Sequence, residues 1–406
     1  MGWKETCVME QRFQFVQEWR AEEWSFAALC RRYGVSRQTG YKWVSRYEAE
    51  GVEGLQDQSR APDRHPNEVI AEVAEAVLEM RRAHPQWGPR KLRQRLQRVA
   101  PEIGWPAAST IGEMLQRAGL SVPRRPRRKA TPSASPLSAA EAANQVWSAD
   151  FKGWFRCGDG SRCDPLTMTD GYSRFLLRCQ ALTGTGEESA RGVMEAAFRE
   201  YGLPEAIRTD NGEPFGSVGI GGLSRLAVWW IQLGIRPERI QPGKPQQNGR
   251  HERMHRSLKQ ATAQPPAANL RRQQEAFDRF RQEYNWERPH EALEMRTPSQ
   301  LYAHPGRSYP ARLARPEYSS EWETRSVGPC GTIRWRAEKP FVSKVLAGEV
   351  IGLEPVGDGQ WKLWFFGHPL ALFDERKGVM RPLKPRSPET GEQHSGPAAS
   401  AGRSSG

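Results

Sequence analysis

Residues 145–182 read QVWSADFKGWFRCGDGSRCDPLTMTDGYSRFLLRCQAL. Apolar and polar residues alternate in the first part, which predicts a strand that carries Asp150 near its end. DPLTMTDGYSR and FLLRCQALTG predict two further strands, joined by a turn around Gly171. The central part of the chain therefore begins with three successive strands joined by short connections.

Helices and strands alternate in the segment that follows. EESARGVMEAAFREYG predicts a helix that Gly202 ends, and LPEAIRTDNGEPF predicts a strand that runs into a loop at Asp210. RLAVWWIQLGI predicts a helix, RPERIQ a short strand, and GRHERMHRSLKQATA a helix with Glu252 in its first turn. This order predicts an α/β core of the RNase H-like kind, with a mixed five-stranded sheet.

Three acidic residues have structured contexts in this segment, namely Asp150, Asp210 and Glu252. Carboxylates are the ligands that hold Mg²⁺ or Mn²⁺, and paired ions of this kind catalyse in-line displacement at phosphorus. Taken singly, each of the three has an ordinary alternative role as a surface or turn residue. Asp170 also ends a predicted strand, but an Asp-Gly hairpin turn is the preferred interpretation there.

The composition of the whole chain favours nucleic acid as a partner. It has 406 residues and a formal net charge of +13, which suits a basic protein of several domains. No stretch is long and apolar enough for a membrane span, and the first residues lack the apolar core of a signal peptide. The 6 cysteines form no C-x2-C pair, so we expect free thiols and a cytoplasmic, nucleoid-associated protein.

Residues 1–55 predict three helices of a helix-turn-helix DNA-binding domain. Ser25 and Ser36 are suitable N-caps for the second and third helices, and Gly34 follows the second. A small helical bundle with a solvated polar face is the alternative interpretation. In the DNA-binding interpretation, the start of the third helix contacts base edges or phosphates in a major groove through Arg37, Gln38, Thr39 and Lys42.

Two further segments separate this domain from the central strands. Residues 66–120 predict a second helical or helix-turn-helix module, for which a plain helical spacer is the alternative. Residues 121–143 are rich in proline and serine and predict a linker. Its basic run is expected to follow a phosphate backbone through Arg124, Arg125, Arg127, Arg128 and Lys129.

Residues 144–303 resemble the catalytic core of bacterial insertion-sequence transposases of the DDE type, which are similar to retroviral integrases. The resemblance rests on the strand with Asp150, the T-D-N-G turn at 209–212 and the pattern P-x-x-P-x-x-N-G-x-x-E-R-x-x-x-x-L-K at 242–259. The downstream segment YNWERPHEALEMRTPSQLY and the early position of the helix-turn-helix modules also match. The family match therefore covers several long motifs in the expected order.

One departure from the family concerns the spacing of the second and third acidic residues. Between Asp210 and Glu252 lie 41 residues, somewhat more than in the commonest form of the family. The glycine-rich stretch GSVGIGGLS at 216–224 is the expected insertion. This departure concerns the subfamily and leaves the expected chemistry unchanged.

The resemblance implies a metal-dependent polynucleotidyl transferase. Asp150, Asp210 and Glu252 would be both its catalytic residues and its metal ligands, for two Mg²⁺ or Mn²⁺ ions. Such a transposase would bind the terminal inverted repeats of its own element, then nick the DNA and transfer the strand. The implied partners are double-stranded DNA, at the element ends and the target, and further copies of the chain on that DNA, with no membrane.

The helix with Glu252 predicts further contacts on the same face. Arg256 and Lys259 lie four and seven residues further on and would reach DNA phosphates. Met254, Leu258 and Ala261 are better placed for the core, and His251 is expected to point elsewhere. Residues beside the acidic positions are expected to position the loop or the DNA end, namely Asn211, Lys244 and Asn248.

The C-terminal part predicts a separate β structure. Residues 318–378 contain short strands with glycine turns, which predict a small β-barrel resembling the SH3-like domain of integrases. Residues 379–406 have the composition of a disordered tail.

Three other functions compete with a transposase. The main alternative is a catalytically inactive, transposase-derived DNA-binding regulator, although none of the three carboxylates is lost. A ribonuclease of the same fold is less consistent with two helix-turn-helix modules, which suit duplex DNA. A retroviral-type integrase is disfavoured because the N-terminal region lacks the H-x3-H and C-x2-C zinc motif.

Overall fold

A computed structural model describes residues 7–57, 69–121, 137, 139–217, 219–241, 249–304 and 306–383. The chain divides into two compact units, Met1–Val69 and Ile70–Gly406. Within the described residues, none of the helices has the length and apolar character needed to cross a membrane.

The first unit contains three helices followed by a 3₁₀ turn at Gly51–Leu55. Hydroxyl N-caps begin the second and third helices, because Ser25 Oγ accepts the Ala28 N–H and Ser36 Oγ accepts the Thr39 N–H. A β-carbon at Gly40 would lie 2.8 Å from Cys30 Sγ, so only glycine permits this close packing of the third helix. The helices are α1 (Val8–Arg20), α2 (Phe26–Arg32) and α3 (Arg37–Glu50), as the sequence predicts.

The second unit begins with the predicted second helical module. Its helices are α4 (Ala71–Ala83), α5 (Pro89–Val99) and α6 (Ala108–Arg117). Their apolar faces bury a small core that includes Val77, Leu92 and Ile111. Arg81 extends across this module, and its guanidinium donates to the backbone carbonyls of Trp87 and Leu120.

The central segment has the predicted order of strands and helices, except that the first predicted strand divides into two strands, the second of only two residues. Its strands are β1 (Val146–Phe151), the two-residue β2 (Phe155–Arg156), β3 (Arg162–Asp170), β4 (Leu176–Leu182), β5 (Ala206–Thr209) and β6 (Arg236–Arg239). Its helices are α7 (Glu187–Tyr201), α8 (Arg225–Gln232), α9 (Gly249–Thr262) and α10 (Leu270–Gln282).

The predicted mixed sheet is confirmed. Its five main strands lie in the order β4-β3-β1-β5-β6, and the short β2 pairs with the beginning of β3. β3 is antiparallel to both β1 and β4, whereas β5 is parallel to both β1 and β6. The carboxyl ends of β1 and β5 therefore meet at one edge of the sheet.

Helices cover both faces of this sheet. Alternate residues of β3 face opposite sides of the sheet. Leu166 and Met168 face one side and join a core cluster with α7 and α8. Cys163 faces the opposite side and packs in a second cluster with α9 and α10, which includes Leu258 and Phe277. We call these two sides the α7/α8 side and the α9/α10 side.

The C-terminal strands do not confirm the predicted barrel. They form an open antiparallel meander in which β7 and β11 are the edges, without pairing to each other in the described part of the chain. The buried face of this sheet joins the core cluster of the α7/α8 side through residues such as Leu370 and Phe373, so its apolar side chains pack on the core. The strands are β7 (Glu323–Ser326), β8 (Val350–Gly357), β9 (Gln360–Phe365), β10 (His368–Asp374) and β11 (Val379–Pro382).

The predicted start of the C-terminal tail is also corrected. Residues 379–382 form β11, because their backbone pairs with β10 from Ala371 to Asp374. Residues 384–406 lie outside the described residues.

The glycine-rich insertion lies against the C-terminal sheet. Gly216 and Leu223 form an isolated β-bridge that closes the loop, and Gly221 has a φ of 67°. A β-carbon at Gly221 would lie 3.1 Å from Leu370 Cδ2, so the loop backbone and β10 are in close contact. The additional residues between Asp210 and Glu252 therefore provide a docking surface for the C-terminal sheet.

Candidate active site

The sheet register places the first two acidic residues side by side. β1 and β5 are parallel neighbours in which Ser148 pairs with Arg208. Two residues further along each strand lie Asp150, in β1, and Asp210, directly after β5. Their carboxylates therefore project from the same edge of the sheet, where parallel strands end.

The third acidic residue is supplied by a helix. Glu252 is exposed in the first turn of α9, where a carboxylate interacts favourably with the helix dipole. Its neighbours in sequence turn in opposite directions, because His251 is buried while Arg253 is exposed. The start of α9 thus presents Glu252 outward above a buried polar layer.

The electrostatics of Asp150 connect the three groups. Burial raises the pKa of Asp150 to about 7, and repulsion from Asp210 and, more weakly, Glu252 adds to the increase. A backbone hydrogen bond from Phe151 and the charge of Lys152 act in the opposite direction. The three carboxylates therefore form one cluster of like charges, which we call the acidic cluster.

The acidic cluster suits a hard divalent cation. Carboxylate oxygens are the ligands that Mg²⁺ and Mn²⁺ prefer, and such an ion would offset the repulsion that adds to the effect of burial on the pKa of Asp150. Asp210 is held in place because its carboxylate accepts the Gly212 N–H at 3.2 Å. The donor set of these three residues therefore fits the predicted metal.

Two buried histidines lie directly beneath Asp150. The Asp150 carboxylate and the ring nitrogens of His251 and His255 offer atoms within 4.8 Å of one another. His255 Nδ1 is 3.9 Å from Asp150 Oδ2. Burial lowers the pKa of His251 to about 3 and lowers the pKa of His255 even further, so both rings are neutral.

Threonine hydroxyls fix the tautomers of these rings. Thr167 Oγ1 donates its one hydrogen to the Asp150 carbonyl at 3.1 Å, so it must accept from both histidines. His251 Nε2 lies 2.6 Å and His255 Nε2 lies 2.7 Å from that oxygen, and both nitrogens therefore carry hydrogen. Thr169 Oγ1 then donates to His251 Nδ1 at 3.0 Å.

This network holds Asp150 and does not provide a cation site at His251. Both ring nitrogens of His251 are engaged with threonine hydroxyls, so neither is available as a ligand without breaking a hydrogen bond. Through Thr167 the network supports the backbone at Asp150. We call Thr167, Thr169, His251 and His255 the His/Thr network.

Sequence reasoning missed most of the His/Thr network. It placed His251 away from the acidic surface, which agrees with its burial, but it did not consider His255, Thr167 or Thr169. The available signal was a pair of histidines four residues apart on one helix, matched by threonines two apart on a strand. Polar residues at such spacing are easily interpreted as a solvated face.

The other predicted residues of α9 lie mostly as expected. Arg256 and Lys259 are exposed on the face of Glu252, and Met254 and Leu258 are buried. Ala261 is exposed and not in the core; Thr262 is buried in its place, because the helix turns about 100° at each residue.

The remaining predicted contacts fall into two groups. Arg37, Gln38 and Lys42 are exposed at the start of α3, whereas Thr39 is half-buried and shares a hydrogen bond with Ser36. Asn211 is exposed and its side-chain amide donates to the Ile240 carbonyl. Several predicted residues lie outside the described residues, namely Arg124, Arg125, Arg127, Arg128, Lys129, Lys244 and Asn248.

Asp170 has the predicted structural role. Its buried carboxylate accepts the backbone N–H groups of Ser173 and Asn144 at 2.7 Å each and the Ser173 hydroxyl at 2.6 Å. These bonds close the turn between β3 and β4 and attach the chain before β1.

Comparison with known families agrees with this geometry. Two protein families, both described as integrase core domain, match residues 140–245 and 233–298. A helix-turn-helix domain matches residues 11–63, and a homeodomain-like domain matches residues 39–115. The chain carries an integrase core.

The relatives of this integrase-core protein include proteins of mobile elements. An uncharacterized 31.7 kDa protein of insertion element IS407 from Burkholderia multivorans is 28% identical over 276 residues, which cover 68% of this chain and 89% of the relative. An uncharacterized 39.2 kDa protein of insertion element IS476 from Xanthomonas euvesicatoria is 25% identical over 292 residues, or 70% and 81% of the two chains.

A solved intasome is among the similar structures. The intasome of simian T-cell lymphotropic virus, in complex with the PP2A regulatory subunit B56 gamma, is 18% identical with a TM-score of 0.36. The similarity covers 71% of this chain and 96% of that chain. The family matches identify helix-turn-helix and integrase core domains in this chain, and the insertion-element proteins are its homologues.

Proposed function

We propose that this integrase-core protein is a DNA transposase that binds the terminal inverted repeats of its own mobile element. It nicks DNA at these ends and transfers the strand to a target in a metal-dependent reaction. The observation that carries this proposal is the acidic cluster, in which the β1/β5 register sets Asp150 beside Asp210 while Glu252 adds to the same repulsion. The insertion-element relatives favour the element's own ends as the substrate.

In this proposal, Asp150, Asp210 and Glu252 hold two Mg²⁺ or Mn²⁺ ions. Ions held there would supply activation of an attacking oxygen and stabilisation of the leaving 3′ oxygen. The His/Thr network fixes the position of Asp150, because Thr167 anchors its backbone carbonyl. Arg256 and Lys259 are exposed on the same helix face as Glu252 and provide the positive charge that holds the DNA phosphates beside the cluster.

DNA-end recognition is assigned to the helical modules. Arg37, Gln38 and Lys42 are exposed at the start of α3, and the net charge of +13 favours binding to the DNA backbone. The basic residues at 124–129 would add sequence-independent phosphate contacts. Synapsis of two element ends requires more than one copy of the chain, so we expect a homo-oligomer assembled on DNA.

An assay on the element ends tests the catalytic proposal. The substrate is DNA spanning the ends of the element that flanks the gene, with Mg²⁺ or Mn²⁺. We expect 3′-end nicking and joining, and a loss of about 100-fold or more in Asp150→Asn, Asp210→Asn or Glu252→Gln. Glu188→Gln is the matched control, because Glu188 is also an exposed acid in the first turn of a helix, α7.

A DNA-binding regulator with an inactive core is the competing function. It predicts tight binding to the ends with no cleavage under either metal, in the wild type and in the Asp150→Asn variant alike. All three members of the acidic cluster are present, which favours the active enzyme.

A further inference from the structure

A cleft lies near the acidic cluster, and of its lining only Lys259 is used in the mechanism above. It has a volume of about 290 Å³ and lies between the end of β1, β3 and the helices α9 and α10. Its apolar wall includes Pro165, Leu258 and Phe277. Lys152, Trp154 and Lys259 also line it.

Trp154 is unusually accessible for a tryptophan. The residue is 57% exposed, although tryptophan is strongly buried on average in folded proteins. The guanidinium groups of Arg162 and Arg156 lie 5.3 and 5.9 Å from the centroid of its ring. An exposed aromatic ring among cations is the arrangement with which proteins bind single-stranded nucleic acid.

The charge of the cleft favours an anionic ligand. Its described lining includes the two lysines and no acidic residue. A simple phosphate site would not require the indole or the apolar wall, and an apolar ligand would not require the lysines. A nucleotide, which has an apolar face and a negative charge, uses both features.

Two lysines of the cleft relate it to the acidic cluster. Lys152 follows Asp150 by two residues, and its charge acts on Asp150 and on His255. Lys259 lies seven residues after Glu252, two turns further along the same face of α9. A DNA strand held at the cluster therefore has its neighbouring nucleotides within reach of this cleft.

We propose that the cleft receives one unpaired nucleobase of the DNA strand held at the acidic cluster. Trp154 stacks on the base, while Lys152 and Lys259 bind the adjacent phosphates. The base must leave the duplex to enter, and this costs least at a DNA end, where a terminal pair has only one stacked neighbour. The proposal rests on the proposed function, because it takes the reacting strand to be DNA.

A cycle of double substitutions tests this contact directly. Binding is measured without metal, on element-end DNA in which each of the last five nucleotides in turn is replaced by an abasic residue. For the wild type, we expect one position where the abasic residue weakens binding by about 5- to 150-fold. In Trp154→Ala, binding should be weaker by a similar factor and should no longer respond to the abasic residue at that position.

A fluorescent base gives a second measurement. When 2-aminopurine replaces the base at that position, stacking on Trp154 should quench its fluorescence, and Trp154→Ala should relieve the quenching. Trp154→Phe, which keeps an aromatic face, should restore part of the affinity. Trp286→Ala is the control, because Trp286 is 44% exposed but does not line the cleft.

The outcomes separate this proposal from the proposed function. If wild-type binding ignores the abasic residue at all five positions, or if Trp154→Ala remains as sensitive as the wild type, the cleft does not hold a base. Cleavage by the wild type is measured on the same DNA with Mg²⁺. Absence of cleavage counts against the transposase, whereas cleavage without an abasic effect counts only against the cleft.

Discussion

The two sides of the central sheet are built from different kinds of residues. The α7/α8 side is apolar, and its core cluster includes Trp147, Phe198 and Trp230 together with the inner face of the C-terminal sheet. The α9/α10 side has a smaller apolar cluster, and next to it lie the buried polar groups of the His/Thr network. The α7/α8 side therefore contributes mainly apolar packing to the fold. On the α9/α10 side, polar groups that contact Asp150 replace part of that packing.

Removing a large side chain from the α7/α8 side should have the largest effect. Trp230 is 1% exposed, and its indole N–H has no hydrogen-bond partner among the described residues, so its contribution comes from packing. Trp230→Ala should lower the free energy of unfolding by about 3–5 kcal/mol, measured by denaturant unfolding of the full chain. Trp154→Ala, at an exposed indole, should change it by no more than about 0.5 kcal/mol. If the two substitutions lower the free energy of unfolding equally, the α7/α8 side is not the main source of stability.

Removing the charge of Asp150 should raise the free energy of unfolding, whereas Trp230→Ala lowers it. Its pKa is raised to about 7 in the folded chain from an ordinary value near 3.8, so the folded state binds the proton more tightly. The ionised carboxylate therefore begins to destabilise the metal-free protein as the pH rises above that ordinary value, and this cost is complete above pH 7. At pH 8, Asp150→Asn should raise the free energy of unfolding by about 2–4 kcal/mol.

The dependence on pH and metal checks this assignment. The stabilisation by Asp150→Asn should disappear near pH 4, where the wild-type carboxyl is protonated in the folded state. Added Mg²⁺ or Mn²⁺ should raise the melting temperature of the wild type and have a smaller effect on the variant, because the ion binds only the folded cluster. If Asp150→Asn without metal is less stable than the metal-free wild type at pH 8, the ionised Asp150 carboxylate does not destabilise the folded protein.

The apolar side was largely predictable from the sequence, because it depends on local periodicity. Alternation in β1 and β3, and the continuous apolar run of α8, fix the strand and helix order that the structure has. The neighbourhood of Asp150 and Asp210 follows from their positions at the ends of two strands, once those strands are parallel neighbours.

The polar side was less predictable, because the role of each polar residue there depends on which helices and strands pack together. His255 has the spacing of an ordinary helix residue, and only the packing of α9 on β3 brings it to Thr167. The C-terminal sheet shows the same limit. Glycine turns and short strands indicated a closed barrel, but closure depends on whether β7 and β11 pair, and here the sheet packs on the core instead.

A substitution within the His/Thr network should have a smaller effect on stability than those at Trp230 and Asp150, and the most informative effect on activity. Thr167→Val preserves the shape of the side chain but removes the acceptor of two buried N–H groups, on His251 and His255. Leaving buried donors unsatisfied should lower the free energy of unfolding by about 1–3 kcal/mol. Thr167→Ser keeps the hydroxyl and should remain close to the wild type.

The metal dependence of cleavage distinguishes positioning from simple stability. Thr167 also donates to the Asp150 carbonyl, so its loss frees the backbone that carries a proposed metal ligand. Thr167→Val should therefore require more Mg²⁺ for half-maximal cleavage at a temperature where it is fully folded, as expected when a group that orients a ligand is lost. Thr169→Val removes only one donor to His251 and should require less additional metal. If both variants keep the metal dependence of the wild type, the network stabilises the fold without positioning Asp150, and the two sides of the sheet differ in composition alone.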